Sequence, residues 1–235
     1  MNISKLLISY KSSLKILRDT GLLKTENTTR TFDLSFSKFS TDFVNCFMDS
    51  DYEEIFKVSM QNGDYDILLN DDSFFQFSCE NPSGGVEKGN IRYAYYEKTR
   101  DYKTYSEFLT DFDFDYSDVG EEFLCDYEQY ISEAKLKTSI TPIRYDYDIK
   151  NFKSVSHPIS HFHIGFNNEI RLPVDKIILP VDFIMFILQN IYPEVFKKYY
   201  DENLILSEFR TSKSKCEILS IDHFCEDTKK RLFLS

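Results

Sequence analysis

Three of the four histidines in the chain lie within seven residues, at His157, His161 and His163. Histidine is the one side chain whose ordinary pKa lets it act as an acid, a base or a metal ligand near neutral pH. A chain with so few histidines has no packing reason to place three of them together. We therefore expect any chemistry that this protein performs to be centred on this segment.

The histidines lie among polar residues that alternate with apolar ones, a pattern that predicts strands at 142–149, 159–166 and 169–175. Successive side chains of a strand point to opposite faces, so each predicted strand has one polar and one apolar face. If the three strands pair in one sheet, five polar side chains converge on one surface. They are Arg144, Asp146, His161, His163 and Arg171.

Arg171 belongs to this surface only for certain lengths of the preceding turn. A two-residue turn would set Ile164 opposite Arg171, which places His163 and Arg171 on different faces. A three-residue loop from Phe166 to Asn168 would pair His163 with Arg171 directly. The predicted site therefore requires an odd loop or a bulge.

Two histidines and two arginines beside a carboxylate are the parts of a phosphodiesterase that needs no metal. One histidine takes a proton and another gives one, while arginine stabilises the charge that develops at phosphorus. We expect His161 and His163 to be the acid–base pair and Arg171 with Arg144 to bind phosphate. Asp146 would orient the histidines, and no cofactor is required.

Two other interpretations of the histidines stay open. The spacing of His161 and His163 on one strand suits a divalent metal, with His157 or Asp146 as the third ligand. In the structural interpretation, His157 caps the turn at Pro158 and the other two histidines hydrogen-bond across the sheet. Neither the metal nor the structural interpretation is excluded by the residue pattern.

Composition limits the class of protein. The chain has 235 residues, of which 42% are hydrophobic and 16% aromatic, as expected for a folded domain with a sizeable core. It contains no apolar run of about 18 residues, so neither a transmembrane helix nor a membrane partner is expected. Its five cysteines lack metal-ligand spacing and fit free thiols in a reducing cytoplasm.

The negative charge of the chain is concentrated in one segment. Between residues 101 and 135 there are eleven acidic residues and two lysines, within a chain whose formal net charge is −11. The remainder is close to neutral, so a local basic surface for a nucleic acid or nucleotide is compatible with the sequence. The acidic segment also supports a second hypothesis, a non-catalytic subunit that docks a basic protein partner encoded nearby.

The order of the predicted elements indicates a single α+β domain, with a mainly antiparallel curved sheet packed by N-terminal, central and C-terminal helices. Aromatic-rich strands at 73–78 and 91–96 predict a hairpin around the loop 81–85, a further strand is expected at 31–36, and the tail 204–235 is predicted as one helix. The predicted segments are an opening helix in 1–30, a first strand group in 31–99, an acidic helical insertion in 100–140, histidine-bearing strands in 141–180 and C-terminal helices in 181–235.

About 50 of the 235 residues, from Arg144 to Pro193, resemble the signature segment of a bacterial family that is known only as a domain of unknown function. The resemblance implies a cytoplasmic bacterial or phage-linked setting near antiviral defence or mobile-element loci, and it supplies no catalytic roles. With the residue chemistry, it suggests a nucleic-acid or nucleotide phosphodiester-acting effector of a toxin or antiviral defence system. The matching residues are Arg144-Tyr145-Asp146-Tyr147, His157-Pro158, His161-Phe162-His163-Ile164-Gly165, Arg171-Leu172-Pro173, Pro180, Phe183 and Tyr192-Pro193.

Overall fold

A computed structural model describes residues 3–27, 38–80, 89–154, 156–167, 170–201, 211–212 and 214–232. The helices in these residues are α1 Ile3–Asp19, α2 Thr41–Asp49, α3 Tyr52–Asn62, α4 Tyr105–Thr110, α5 Tyr116–Val119, α6 Leu124–Glu133, α7 Pro180–Ile191, α8 Pro193–Asp201 and α9 Glu226–Leu232. The strands are β1 Leu23–Glu26, β2 Ile67–Leu69, β3 Phe74–Cys79, β4 Asn90–Tyr96, β5 Ile143–Asp148, β6 Ser160–Ile164, β7 Leu172–Pro173, β8 Lys176–Ile177 and β9 Glu217–Ile218.

Seven strands form one open antiparallel sheet in the order β1-β2-β3-β4-β5-β6-β7, so each strand pairs with its neighbours in the chain. The predicted hairpin of β3 and β4 is confirmed, with Phe75 opposite Tyr95. The expected α+β class with an antiparallel sheet is therefore confirmed. Within the described residues, none of the helices is both long enough and apolar enough to cross a membrane.

Helices α1 and α7 cover one face of the sheet. Pro180 starts α7, where its missing N–H removes no helical hydrogen bond. The helix is apolar nearly all round, as is typical of a buried helix. Phe183 lies at its centre, with its ring centroid within 6.2 Å of those of Phe75, Phe77, Tyr93 and Phe162. This face holds the main core of the protein.

Helices α2 and α3 cover one end of the opposite face, where they pack Phe43 and Phe56 against a core that includes Phe74 and Tyr96. The interpretation of 31–99 as a strand group is wrong for this part. Local signals for the helices were present. The Ser40 side chain accepts a hydrogen bond from the Phe43 N–H at the start of α2, and left-handed Gly63 ends α3.

Two other expectations in this region lie outside the described residues. They are the strand predicted at 31–36 and the hairpin loop predicted at 81–85.

The acidic insertion between β4 and β5 is helical, as predicted. Phe108, Leu109 and Tyr127 form a small core of its own. Thr104 and Glu107 make a capping box at the start of α4, which satisfies backbone N–H groups at that helix end. The described part of the insertion also contains the short helix α5, which the sequence analysis did not separate from its neighbours.

The tail is not the single helix predicted over 204–235. In its described part, β9 pairs with β8 through Lys176 and Ile218, and α9 follows after a turn. The extended backbone of β9 makes its hydrogen bonds with β8, whereas the backbone of a helix would make them within the helix.

The third strand predicted in the histidine region is also shorter than expected. Strand β7 ends at Pro173, which has no N–H to donate to a neighbouring strand.

Replacing Phe183 with Ala should lower the free energy of unfolding by about 3–5 kcal/mol, because it empties the space between four aromatic rings. Ile8→Ala on α1 is the control, since Ile8 is 67% exposed and should change stability by less than about 0.5 kcal/mol. Denaturant unfolding of both variants measures the difference. Equal effects of the two substitutions would contradict the assignment of the core.

Candidate functional site

The polar face of the sheet is organised in two rows across the strands. In the first row Arg92 of β4 lies opposite Asp146 of β5, and Asp146 lies opposite His161 of β6. In the second row Arg144 lies opposite His163. The alternation read from the sequence therefore places Arg144, Asp146 and both histidines on one face, as predicted.

Asp146 is the central group of this face and is 6% exposed. Its two carboxylate oxygens accept hydrogen bonds from Arg92 Nε at 3.0 Å and from Arg144 Nε at 2.9 Å. His163 Nε2 lies 3.5 Å from Asp146 Oδ2. Burial raises the pKa of Asp146, but His163 and the two arginines lower it more, so the carboxyl pKa falls well below its usual range. Asp146 is therefore ionised at neutral pH.

His161 is buried behind this group, with 1% of its surface exposed. Its Nδ1 lies 2.7 Å from the carbonyl oxygen of Pro158, which can only accept, so Nδ1 carries a proton. Burial lowers the pKa of His161 to about 4; the charge of Asp146 opposes this shift and that of His163 adds to it. At neutral pH His161 is consequently uncharged, with Nε2 as its acceptor nitrogen.

The tautomer of His161 determines how His163 is oriented. The two Nε2 atoms are 3.0 Å apart, and because that of His161 accepts, His163 Nε2 must donate. The same N–H faces Asp146. Among the described residues His163 Nδ1 has no hydrogen-bond partner, so it is the nitrogen available for proton transfer with a ligand.

His163 borders a cleft with a volume of about 480 Å³, which is within the usual range for sites that hold small molecules. The cleft combines basic side chains with aromatic walls. The residues that matter for its chemistry are Arg144, His163, Arg171, Phe47, Tyr96 and Phe166.

The pairing of β6 with β7 has the register that the sequence analysis required for Arg171 to lie beside His163. Strands β6 and β7 pair Phe162 with Leu172 and His161 with Pro173. If this register continues by one residue, His163 lies opposite Arg171. A loop with an odd number of residues gives this pairing, whereas a two-residue turn does not. The structure thus brings Arg171 to the same cleft as His163.

Arg92 is the principal residue that the sequence analysis missed as a member of the site. The sequence analysis did not include it among the site residues, whereas the structure pairs it with Asp146 and places its guanidinium carbon 5.8 Å from the centre of the Phe47 ring. Strand alternation within β4 could have placed Arg92 on a polar face from the sequence alone. Its partner became visible only once β4 was known to lie beside β5.

The geometry changes which three residues could bind a metal ion. In the described part of the chain the ligand atoms that converge are those of Asp146, His161 and His163, which lie within 4.8 Å of one another. His157 is outside this group, although its ring centroid is 5.1 Å from that of His161. A backbone carbonyl on His161 Nδ1 suits a metal-bound histidine. Against a metal, both oxygens of Asp146 already accept from arginines, whose charges would repel a cation.

Comparison with protein families identifies the family to which the chain belongs, but that family has no described activity. The family described as "Uncharacterized conserved protein (DUF2290)" matches residues 18–231. The chain belongs to this family. The resemblance to an uncharacterised family is confirmed, and the DUF2290 match extends far beyond the segment 144–193. No curated protein and no solved structure matches the chain.

Lowering the pH should destabilise the protein through His161 before Asp146 is protonated. In the unfolded chain this histidine takes up a proton as the pH falls through its ordinary pKa of 6.5, whereas in the folded protein its pKa is about 4. Stability therefore falls as the pH drops between these two values, because the unfolded state binds more protons there. The loss is about 3 kcal/mol.

His161→Asn removes this titration and keeps a donor for the Pro158 carbonyl. Its free energy of unfolding, measured by denaturant titration at several pH values, should depend correspondingly less on pH over the same interval. Unchanged pH dependence in the variant would contradict the buried neutral histidine.

Proposed function

We propose that the cleft beside His163 binds a phosphodiester of RNA or of a nucleotide and that His163 transfers the proton in its cleavage. One observation carries the proposal. His163 has one ring nitrogen on the Asp146 side and borders, together with Arg144 and Arg171, the same cleft. An imidazole held by a carboxylate and adjacent to two guanidinium groups suits proton transfer at a bound anion.

The arginines would supply both binding and stabilisation of the transition state. Planar guanidinium groups bind phosphate oxygens through paired hydrogen bonds, and their charge stabilises the added negative charge at phosphorus. Arg144 is positioned by Asp146, which accepts its Nε–H and leaves the terminal nitrogens of the guanidinium for a ligand. In this division of roles, the carboxylate of the first row holds the guanidinium of the second row.

His163 Nδ1 would take the proton from the attacking hydroxyl or water and return it to the leaving oxygen. Asp146 stabilises the imidazolium formed between these steps. His161 differs from the acid–base role expected from the sequence, because its Nε2 faces His163 rather than the cleft. In this proposal it is a positioning residue that fixes which nitrogen of His163 carries the proton.

The aromatic walls favour a nucleotide over a simple phosphate ester. Phe47 and Phe166 are both partly exposed, and Tyr96 lies between two other rings at the covered end of the sheet. Aromatic side chains stack on any nucleobase, whatever its sequence. A phosphate group beside the arginines and a base on Phe47 or Phe166 would fill complementary parts of the cleft.

Replacing His163 with Ala should reduce cleavage of single-stranded RNA or a cyclic nucleotide by at least about 100-fold, because a general acid–base group contributes this much. The melting temperature should change little, since His163 forms no part of the aromatic core. His223→Ala is the control, because His223 is not among the residues of the cleft; in the described part of the chain its ring contacts Ser220 and Phe152. Activity assays and thermal unfolding of the three proteins provide the measurements.

The same pair of variants tests the toxin or defence setting. Expression of the wild type should slow bacterial growth or restrict phage, the His223 variant should do likewise, and the His163 variant should not. Full biological function in the His163 variant would overturn the proposal. It would favour the non-catalytic alternative, in which the acidic insertion docks a basic partner through exposed aromatics such as Phe112 and Tyr116, which are 58% and 52% exposed.

A metal-dependent hydrolase is the second candidate, favoured by the convergence of Asp146, His161 and His163. The two candidates predict opposite results from metal analysis of the purified protein. Under the main proposal, zinc, nickel and manganese are far below one equivalent and a chelator leaves activity unchanged. A full equivalent of one metal, lost together with activity on chelation, would instead establish the metal-dependent enzyme.

A further inference from the structure

A second cleft adjoins the first and shares Arg171 with it. Its volume is about 390 Å³, and its walls include Lys153, His157 and Arg171 together with the neutral residues Asn151 and Ser156. No acidic side chain is among the described residues that line it. A concave surface of donors and cations without a carboxylate suits an anion.

His157, the third member of the histidine cluster, lines this second cleft. Its Nδ1 is buried and has no hydrogen-bond partner among the described residues. Buried polar atoms of this kind are rare, because leaving one unbonded destabilises the protein unless water or a ligand satisfies it. Neither the acid–base chemistry at His163 nor the group of converging metal ligands uses this atom.

Lys153 is held next to His157 by the backbone. The N–H of Lys153 donates to the carbonyl of His157 at 3.1 Å, and the N–H of His157 donates to the carbonyl of Lys153 at 2.9 Å. These two backbone hydrogen bonds fix the positions from which the Lys153 and His157 side chains extend. The Lys153 side chain is exposed, and its ammonium makes no ion pair within the described residues, so it is accessible to a phosphate.

We propose that the ligand is a single-stranded polynucleotide whose successive phosphates occupy the two clefts, with Arg171 between them. The inference rests on the proposed function, because it assigns the first phosphate to the cleft of His163. A mononucleotide would use the first cleft alone and would leave Lys153 and His157 without a role. A single strand fits because its unpaired bases can stack on aromatic side chains, which paired bases cannot do.

The test compares ligands that reach one cleft or both. A 2′-O-methyl oligoribonucleotide of about five nucleotides spans a typical single-strand site and lacks the free 2′-hydroxyls that would attack its own phosphates. A nucleoside 5′-monophosphate fills the first cleft only. Affinities of both are measured for the wild type, for Lys153→Ala and for Lys150→Ala. Lys150 is the matched control, because it makes the same charge change but pairs with Glu80 instead of lining the second cleft.

Lys153→Ala should weaken oligonucleotide binding about tenfold, as expected for one lost hydrogen bond to a charged group, and leave the monophosphate unaffected. The slope of log affinity against log salt concentration should become less steep by about 0.7, the value for one phosphate contact of a single strand. Lys150→Ala should change neither quantity beyond a small general effect of charge.

Two outcomes would overturn the inference, and they differ in what they say of the proposed function. If oligonucleotide and monophosphate bind equally well and Lys153→Ala affects neither, the ligand is a mononucleotide and the role of the first cleft stands. If neither ligand binds the wild type, the phosphate-binding role of the first cleft fails, and the strand proposal fails with it.

Discussion

The buried carboxylate of Asp146 is the interaction on which the rest of the site depends. It joins three strands, because it accepts from Arg92 of β4 and Arg144 of β5 and faces His163 of β6. Transfer of one charge from water into the protein is costly, and the two guanidinium groups offset that cost. Loss of either arginine would leave a partly compensated buried charge, so these residues support one another rather than acting separately.

The packing of the two faces explains why this polar cluster can exist inside a stable sheet. Alternate residues such as Tyr93 and Tyr145 point to the face covered by α1 and α7, where most of the apolar area is buried. On the other face, among the described helices, α2 and α3 cover the end near Phe74 and Tyr96. The charged and histidine side chains lie on the remainder of this face, and its boundary with the aromatic end forms the cleft.

His161 and His163 show how burial separates two chemically identical side chains. The Pro158 carbonyl and the interior hold His161 in one neutral tautomer. That tautomer in turn orients His163, whose remaining nitrogen is available to a ligand. The three histidines therefore differ in their surroundings: under the proposed function His163 transfers a proton and His161 positions it, whereas His157 contacts His161 and lines the neighbouring cleft.

Much of the candidate site could be predicted from the sequence, since strand alternation is a local property. It correctly grouped Arg144 with Asp146 and His161 with His163, and it stated the turn geometry that Arg171 needs. Arg92 could not be assigned to Asp146, because the acidic insertion separates β4 from β5 in the chain and pairing across it is not encoded locally. Helices α2 and α3 were missed because their aromatic residues resemble those of the neighbouring strands, although Ser40 and Gly63 marked their ends.

The proposed function requires a neutral His161 that orients His163 toward an anion-binding cleft. Nitrogen-15 NMR of the histidine rings at neutral pH, with and without a nucleoside monophosphate, tests it most directly. We expect a His161 ring protonated at Nδ1 in both samples and His163 signals that shift when the ligand binds. A His161 ring protonated at Nε2, or His163 signals that do not change at saturating ligand, would contradict it.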